Sequence, residues 1–263
     1  MLSANNKRMT KRISKRVISI TAVCLVLALL IGLAFLPTVR ARGGATVQAA
    51  TEYDSDGIAK LSTCTAYVAA HGFSTTMTGK ITARVLGVKY TQKVSGGRTV
   101  DGDRFTDTAQ SISSLVKVAL RREYDGEEYK IYRGEYRDKD KTFAFDNGKT
   151  VDKQQYVGLY GKPNIGVVKY AVDSSVMSVK KVGDNAYRFA LDPVRATAYC
   201  KNEVKTTLGG KSYPHYSSIE FTLYFDGDRP IKVTSVEKFR VDKLGGTDCT
   251  AEYTETFKFN SEL

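Results

Sequence analysis

Apolar and polar positions change period along this chain, and each change marks an element. Residues 17 to 36, VISITAVCLVLALLIGLAFL, are twenty positions without a charge. Residues 37–53 lack apolar periodicity and read as a tether. Ile58, Leu61, Cys64 or Thr65, and Val68 then recur at helical spacing, so a first helix turns one stripe toward a core. Asp54 or Ser55 can accept from the free amides of its first turn, and Gly72 can end it.

From residue 74 the period becomes two. In SLVKVALRREY, Val116, Val118 and Leu120 alternate with Lys117 and Arg121, and Tyr129 and Ile131 continue the pattern past Asp125-Gly126. Turn chemistry falls at the GG of VSGGRTV, the DG of EYDGEEY, Gly183-Asp184-Asn185 and the GDRP run. The last strands are the clearest. Ile219, Phe221, Leu223 and Phe225 share one phase, Ile231, Val233, Phe239 and Val241 another, and Tyr253, Phe257 and Phe259 a third. One buried and one wet face imply an antiparallel sheet. Two short helical stretches interrupt it, VDKQQYVGLYGKP after its Asp152 cap and DPVRATAYCKNEV from Asp192. The pattern predicts a single α+β domain over 54–263, with about nine or ten strands and helices on one face.

Charge separates leader from body. The chain carries +12, yet residues 1–50 hold eight Lys or Arg and no acid, leaving 32 basic against 28 acidic side chains in residues 51–263. A net of +4 does not make a phosphate-binding body, so no nucleic-acid partner is expected. The basic segment 1–16 precedes the apolar run 17–36, which at 1.5 Å per residue spans a ~30 Å hydrocarbon core. Six cations before it and two after favour a cytoplasmic N-terminus and an external body. The run either stays as a single-pass anchor or is removed as an export signal, with the body secreted. Its length favours the anchor. Cys64, Cys200 and Cys249 lie beyond it. A Cys200–Cys249 disulfide and buried thiols are both open, and a body of this size favours thiols.

The helix at 54–71, the run KITARVLGVKYTQKVSGGRTV and the ending FTLYFDGDRPIKVTSVEKFRV resemble, in their order, the lipoprotein-localisation-factor-like half-barrel. The ending is similar to the strand–turn–strand finish of extracytoplasmic envelope proteins, and the body also looks like exported domains of Gram-positive bacteria. The resemblance implies a strongly curved sheet around an apolar cavity, with helices covering the concave face and a lipidic ligand inside. It transfers no binding residue.

Catalytic templates fail. There is no H-E-x-x-H or G-x-S-x-G, and Gly210-Lys211-Ser212 lacks the earlier glycine of a phosphate loop, having Lys205 there. His215, near Ser217 and Ser218, is the best acid–base candidate, yet residues two apart on a strand merely share a face. His71 at the helix end suits the terminal carbonyls. The paired acids Asp54/Asp56, Asp101/Asp103, Asp138/Asp140 and Asp226/Asp228 sit in turns without a calcium loop's spacing. Asp101-Gly102-Asp103 is the one to test for metal. No catalytic residue, metal or cofactor is expected.

Sixteen Tyr and eleven Phe without Trp suit a cavity wall or an ordinary sheet core. The leading expectation is a non-enzymatic envelope protein holding an apolar or amphiphilic ligand, or a partner protein. Its groove would lie between the curved sheet and the first helix, walled by Ile219, Phe221, Leu223, Phe225, Ile231, Val233, Phe239, Tyr129 and Tyr187. A sensory or structural ectodomain that recruits an envelope protein through its sheet is the alternative. An exported hydrolase using His215 follows behind.

Overall fold

The computed structural model describes residues 53–85, 88–114, 117–152, 176–198, 201, 213–241 and 246–259. The leader 17–36, the helical stretch after Asp152 and Cys200 lie outside these residues. Among the described residues no helix is long and apolar enough to cross a membrane.

Helix α1 (Ser55–Ala70) forms where the periodicity places it, with Leu61, Cys64 and Val68 buried. Asp54 caps it, accepting from the amides of Asp56 at 2.9 Å and Gly57 at 3.3 Å. At the other end the His71 amide donates to the Tyr67 carbonyl at 3.1 Å.

Twelve strands follow: β1 (Phe73–Val85), β2 (Val88–Asp101), β3 (Arg104–Ile112), β4 (Lys117–Tyr124), β5 (Tyr129–Arg137), β6 (Thr142–Phe145), β7 (Lys149–Val151), β8 (Val176–Gly183), β9 (Ala186–Leu191), β10 (Pro214–Asp226), β11 (Arg229–Val241) and β12 (Thr247–Phe259). They make one antiparallel sheet in the order β6-β5-β4-β3-β2-β1-β12-β11-β10-β9-β8, with β7 also on β5. Two meanders thus meet where β1 pairs with β12.

This corrects the α+β expectation. Among the described residues the molecule is mostly β, with twelve strands instead of nine or ten, and the helical residues are α1, 193–198 and 201. The undercount has a physical source: β6 and β7 are four and three residues long, too short to show alternation. The Gly96-Gly97 pair also misleads, because it lies inside β2 and turns nothing. A Cβ on Gly96 would meet the Thr108 carbonyl oxygen at 2.1 Å, and one on Gly97 the Thr75 carbonyl oxygen at 2.2 Å. Those glycines serve close approach of neighbouring strands. The other turns fall as expected, with Gly126 at φ 106° and Gly227 at φ 56°.

Register divides the sheet into two chemically distinct faces. On the outer face Thr78, Thr254, Thr234 and Thr222 stand side by side across β1, β12, β11 and β10. On the inner face α1 crosses the second meander. Gly57 lets it sit down, since a Cβ there would meet Val179 Cγ1 at 2.4 Å. Lys60 pairs with Asp228 of the β10–β11 turn at 2.9 Å, and the Tyr67 ring meets Phe259 edge-on at 5.0 Å between centroids.

Candidate ligand-binding face

Following register along the inner face exposes an aromatic row. Phe259, Phe73, Val100, Phe105, Tyr124, Tyr129 and Val151 are successive cross-strand partners from β12 through β1 to β5 and β7, and all are buried. Tyr124 and Tyr129 stack with centroids 4.2 Å apart, Phe105 leans on Tyr129 at 6.0 Å, and the Tyr124 hydroxyl donates to the Gly126 carbonyl at 2.6 Å. Cross-strand aromatic pairs of this kind stabilise a sheet beyond the area they bury.

The neighbouring row on the same face is charged. Arg98, Asp107 and Arg122 are successive partners on β2, β3 and β4, at 4%, 5% and 1% exposure. Arg122 grips Asp107 with a two-point fork, Nε donating to Oδ1 at 2.7 Å and Nη2 to Oδ2 at 2.5 Å. Arg98 turns toward β12: its Nε donates to Glu255 Oε1 at 2.9 Å, and its amide takes the Thr75 hydroxyl oxygen as acceptor at 3.0 Å. The Arg98 guanidinium also lies over the rings of Phe73 and Phe257, at 5.5 and 5.9 Å. Burial pushes the Asp107 carboxyl up, against the pull of Arg122 and, more weakly, of Arg98. Farther along the face Gln92 donates to the Ser111 hydroxyl, and Glu237 is buried between Ile219 and Ala251.

Sequence reasoning found the apolar part and missed the charged part. Ile219, Phe221, Leu223, Phe225, Val233, Tyr187 and Tyr129 are buried in one continuous core with Phe73 and Phe259. Tyr187 stacks on Phe225 at 5.9 Å and Phe189 on Phe221 at 4.7 Å beneath α1, so this half of the wall is floor to the helix. Phe239 is buried apart from them, against Tyr216 at 5.5 Å. Ile231 is not brought in: the ladder slips between Tyr224 and Phe225, opposite it, and leaves it 39% exposed. The signal for the missed residues was present. Asp107 shares the phase of Phe105 and Ala109, and Arg122 that of Tyr124, where a charge must find a partner or stay unfolded.

The acid–base candidates stand elsewhere. The His215 ring sits 4.7 Å from Tyr213, and the Ser217 hydroxyl donates to the Lys238 carbonyl at 3.2 Å. His71 Nδ1 lies 2.8 Å from the Tyr67 carbonyl, the helix-end contact expected of it. Cys249 is buried, its Sγ 3.7 Å from the Thr247 carbonyl, while its bridge to Cys200 falls outside the described residues. Asp101-Gly102-Asp103 is the β2–β3 turn, with Gly102 at φ 61°. No group of three or more His, Cys, Asp or Glu gathers among the described residues.

No family model and no curated protein matches the chain. Among solved structures it is similar to a DUF1329 family protein from Desulfovibrio piger, at 11% identity and a TM-score of 0.30, covering 79% of this chain and 94% of that one. It is similar also to an outer membrane lipoprotein-sorting protein domain from Vibrio parahaemolyticus, at 9% identity and a TM-score of 0.32, covering 80% and 94%. No residue role passes from either to this chain.

Proposed function

We propose that this chain is a non-enzymatic binding protein of the cell envelope that seats an amphiphile against the inner face of its sheet. One observation carries the reading: an aromatic row crosses seven strands directly beside a row of buried charges. A purely structural core gains from apolar contact and loses from buried ions, whose removal from water costs several kcal/mol each. A face that keeps both beside each other matches a molecule with an apolar tail and a polar end. The basic segment and apolar run of residues 1–36 support a body outside the cytoplasm, held at the membrane or released from it.

The test uses the intact chain held in phosphatidylcholine nanodiscs with a photoreactive alkyl probe. Cross-links are expected in peptides that contain Phe105, Tyr124 and Tyr129. Labelling spread evenly over the body, or confined to residues 17–36, contradicts the reading. External protease added to intact cells should digest the body, and its protection would reverse the topology. Replacing His215 by Ala should leave the cellular phenotype unchanged, and its loss in a stably folded variant would revive the hydrolase.

A further inference from the structure

The positive charge of the body is unevenly placed. Residues 72–100 hold Lys80, Arg84, Lys89, Lys93 and Arg98 and no acid, which leaves 27 basic against 28 acidic side chains in the rest of residues 51–263. The whole cationic excess therefore sits on the β1–β2 hairpin. Arg98 is buried on the inner face with Glu255. The other four are exposed on the outer face, and register sets them in like-charged pairs. Lys80 is opposite Lys93 and Arg84 opposite Lys89, with Thr82 and Thr91 between the two pairs. Like charges directly opposite each other weaken a sheet. Glu252 meets Lys80 at 2.9 Å, in an exposed pair that contributes little. Among the described residues Arg84, Lys89 and Lys93 have no acid in ion-pair contact, and Asp248, the last acid toward that end of β12, is opposite Arg240.

The same end of the hairpin carries apolar surface. Val88, the partner of Val85, is 54% exposed, and Tyr90 on its phase is half-buried, while Lys89 between them takes the other face. Cations without counter-ions beside an exposed valine and a tyrosine match an anionic lipid surface, whose phosphates answer the charges and whose interface takes the rest. We propose that this end of the β1–β2 hairpin docks the body on such a surface through Arg84, Lys89 and Lys93, with Lys80 behind them. Docking requires only that the body be an envelope domain beside a membrane, and it is independent of what the inner face binds. Residues 37–53 reach at most about 60 Å when extended, so a body tethered at residue 36 stays close to that bilayer.

Lysine acylation tests this with the intact chain, held in nanodiscs of phosphatidylcholine or of an equal mixture with phosphatidylglycerol. A water-soluble succinimidyl ester is added and each lysine is followed by mass spectrometry. Acylation of Lys89 and Lys93 is expected to be about fivefold slower in the anionic discs, the factor that one cation near such a surface supplies, and to recover in high salt. Lys258 and Lys130, in one cross-strand row at the opposite end of these strands, should react alike in both discs. Replacing Arg84→Gln with Lys89→Gln relieves like-charge repulsion, so the unfolding midpoint should not fall, and the slowing at Lys93 should vanish. Equal rates in both discs, slowing shared by Lys258 and Lys130, or slowing at Lys93 that survives the double variant overturns the docking surface, whatever the alkyl probe labels. Slowing at Lys89 and Lys93 without alkyl cross-links on β3–β5 leaves the docking surface standing and overturns the amphiphile reading alone.

Discussion

Arg122 and Asp107 behave as a single unit, because each is the other's main compensation for leaving water. Replacing Arg122 by Ala strands the Asp107 charge in the core and should lower stability by about 3–5 kcal/mol in urea unfolding. Losing both charges, as in Asp107→Leu with Arg122→Leu, should recover most of that, so a double-mutant cycle reads their coupling. Cys64 makes a second case. Burial pushes its thiol up to about 11, with Lys60 pulling the other way. Iodoacetamide at pH 8 should leave it untouched in the native protein and alkylate it after denaturation. Because the folded thiol holds its proton above the unfolded value of 9.0, this group favours folding fully below pH 9, and that contribution fades as pH rises from 9 toward 11. At this scale the core phases of Asp107 and Arg122 stood in the sequence but went unread. It could not disclose that they face each other, since register across β3 and β4 is a property of two strands together.

Among elements, α1 was the most legible, because its cap and stripe are local. Asp54→Ala should cost about 1 kcal/mol of stability, measured by thermal unfolding, by leaving the amides of Asp56 and Gly57 without their acceptor. Gly96 shows the opposite situation, where the same residue type serves a turn or a tight crossing and only neighbours decide. A methyl group there runs into the Thr108 carbonyl oxygen, so Gly96→Ala should lower stability by about 1–3 kcal/mol, the range for overpacking. Gly102, with φ 61° and open space around it, makes no such clash. The short strands β6 and β7 were illegible for a simpler reason. They continue β5's edge through pairing, and three or four residues carry no period of their own.

For the whole molecule, alternation was enough to foresee one antiparallel sheet with a wet and a dry face, but not its strand order. The faces should answer substitution very differently. Phe73→Ala removes a ring in contact with Phe257, Phe259 and Arg98 and should cost about 3–5 kcal/mol. Thr254→Ser, in the outer threonine row, should stay within about 0.5 kcal/mol, and chemical denaturation of the two variants side by side checks the contrast. The fold class was misjudged because apolar faces were expected to need helices. Register instead joins the dry faces of both meanders into one core, and α1 covers the β8–β12 side of it.

The pairing of β1 with β12 governs the order in which the chain can acquire its shape. Phe73, near the beginning of the body, finds its partner Phe259 only when the last strand has emerged. Loop closure of that length makes folding slow and leaves the edge of β1 unpaired until β12 arrives. The same delay makes the unfinished meander β1–β6 a target for chaperones and proteases. Shortening the chain before β12 should abolish the sheet's centre in both halves together.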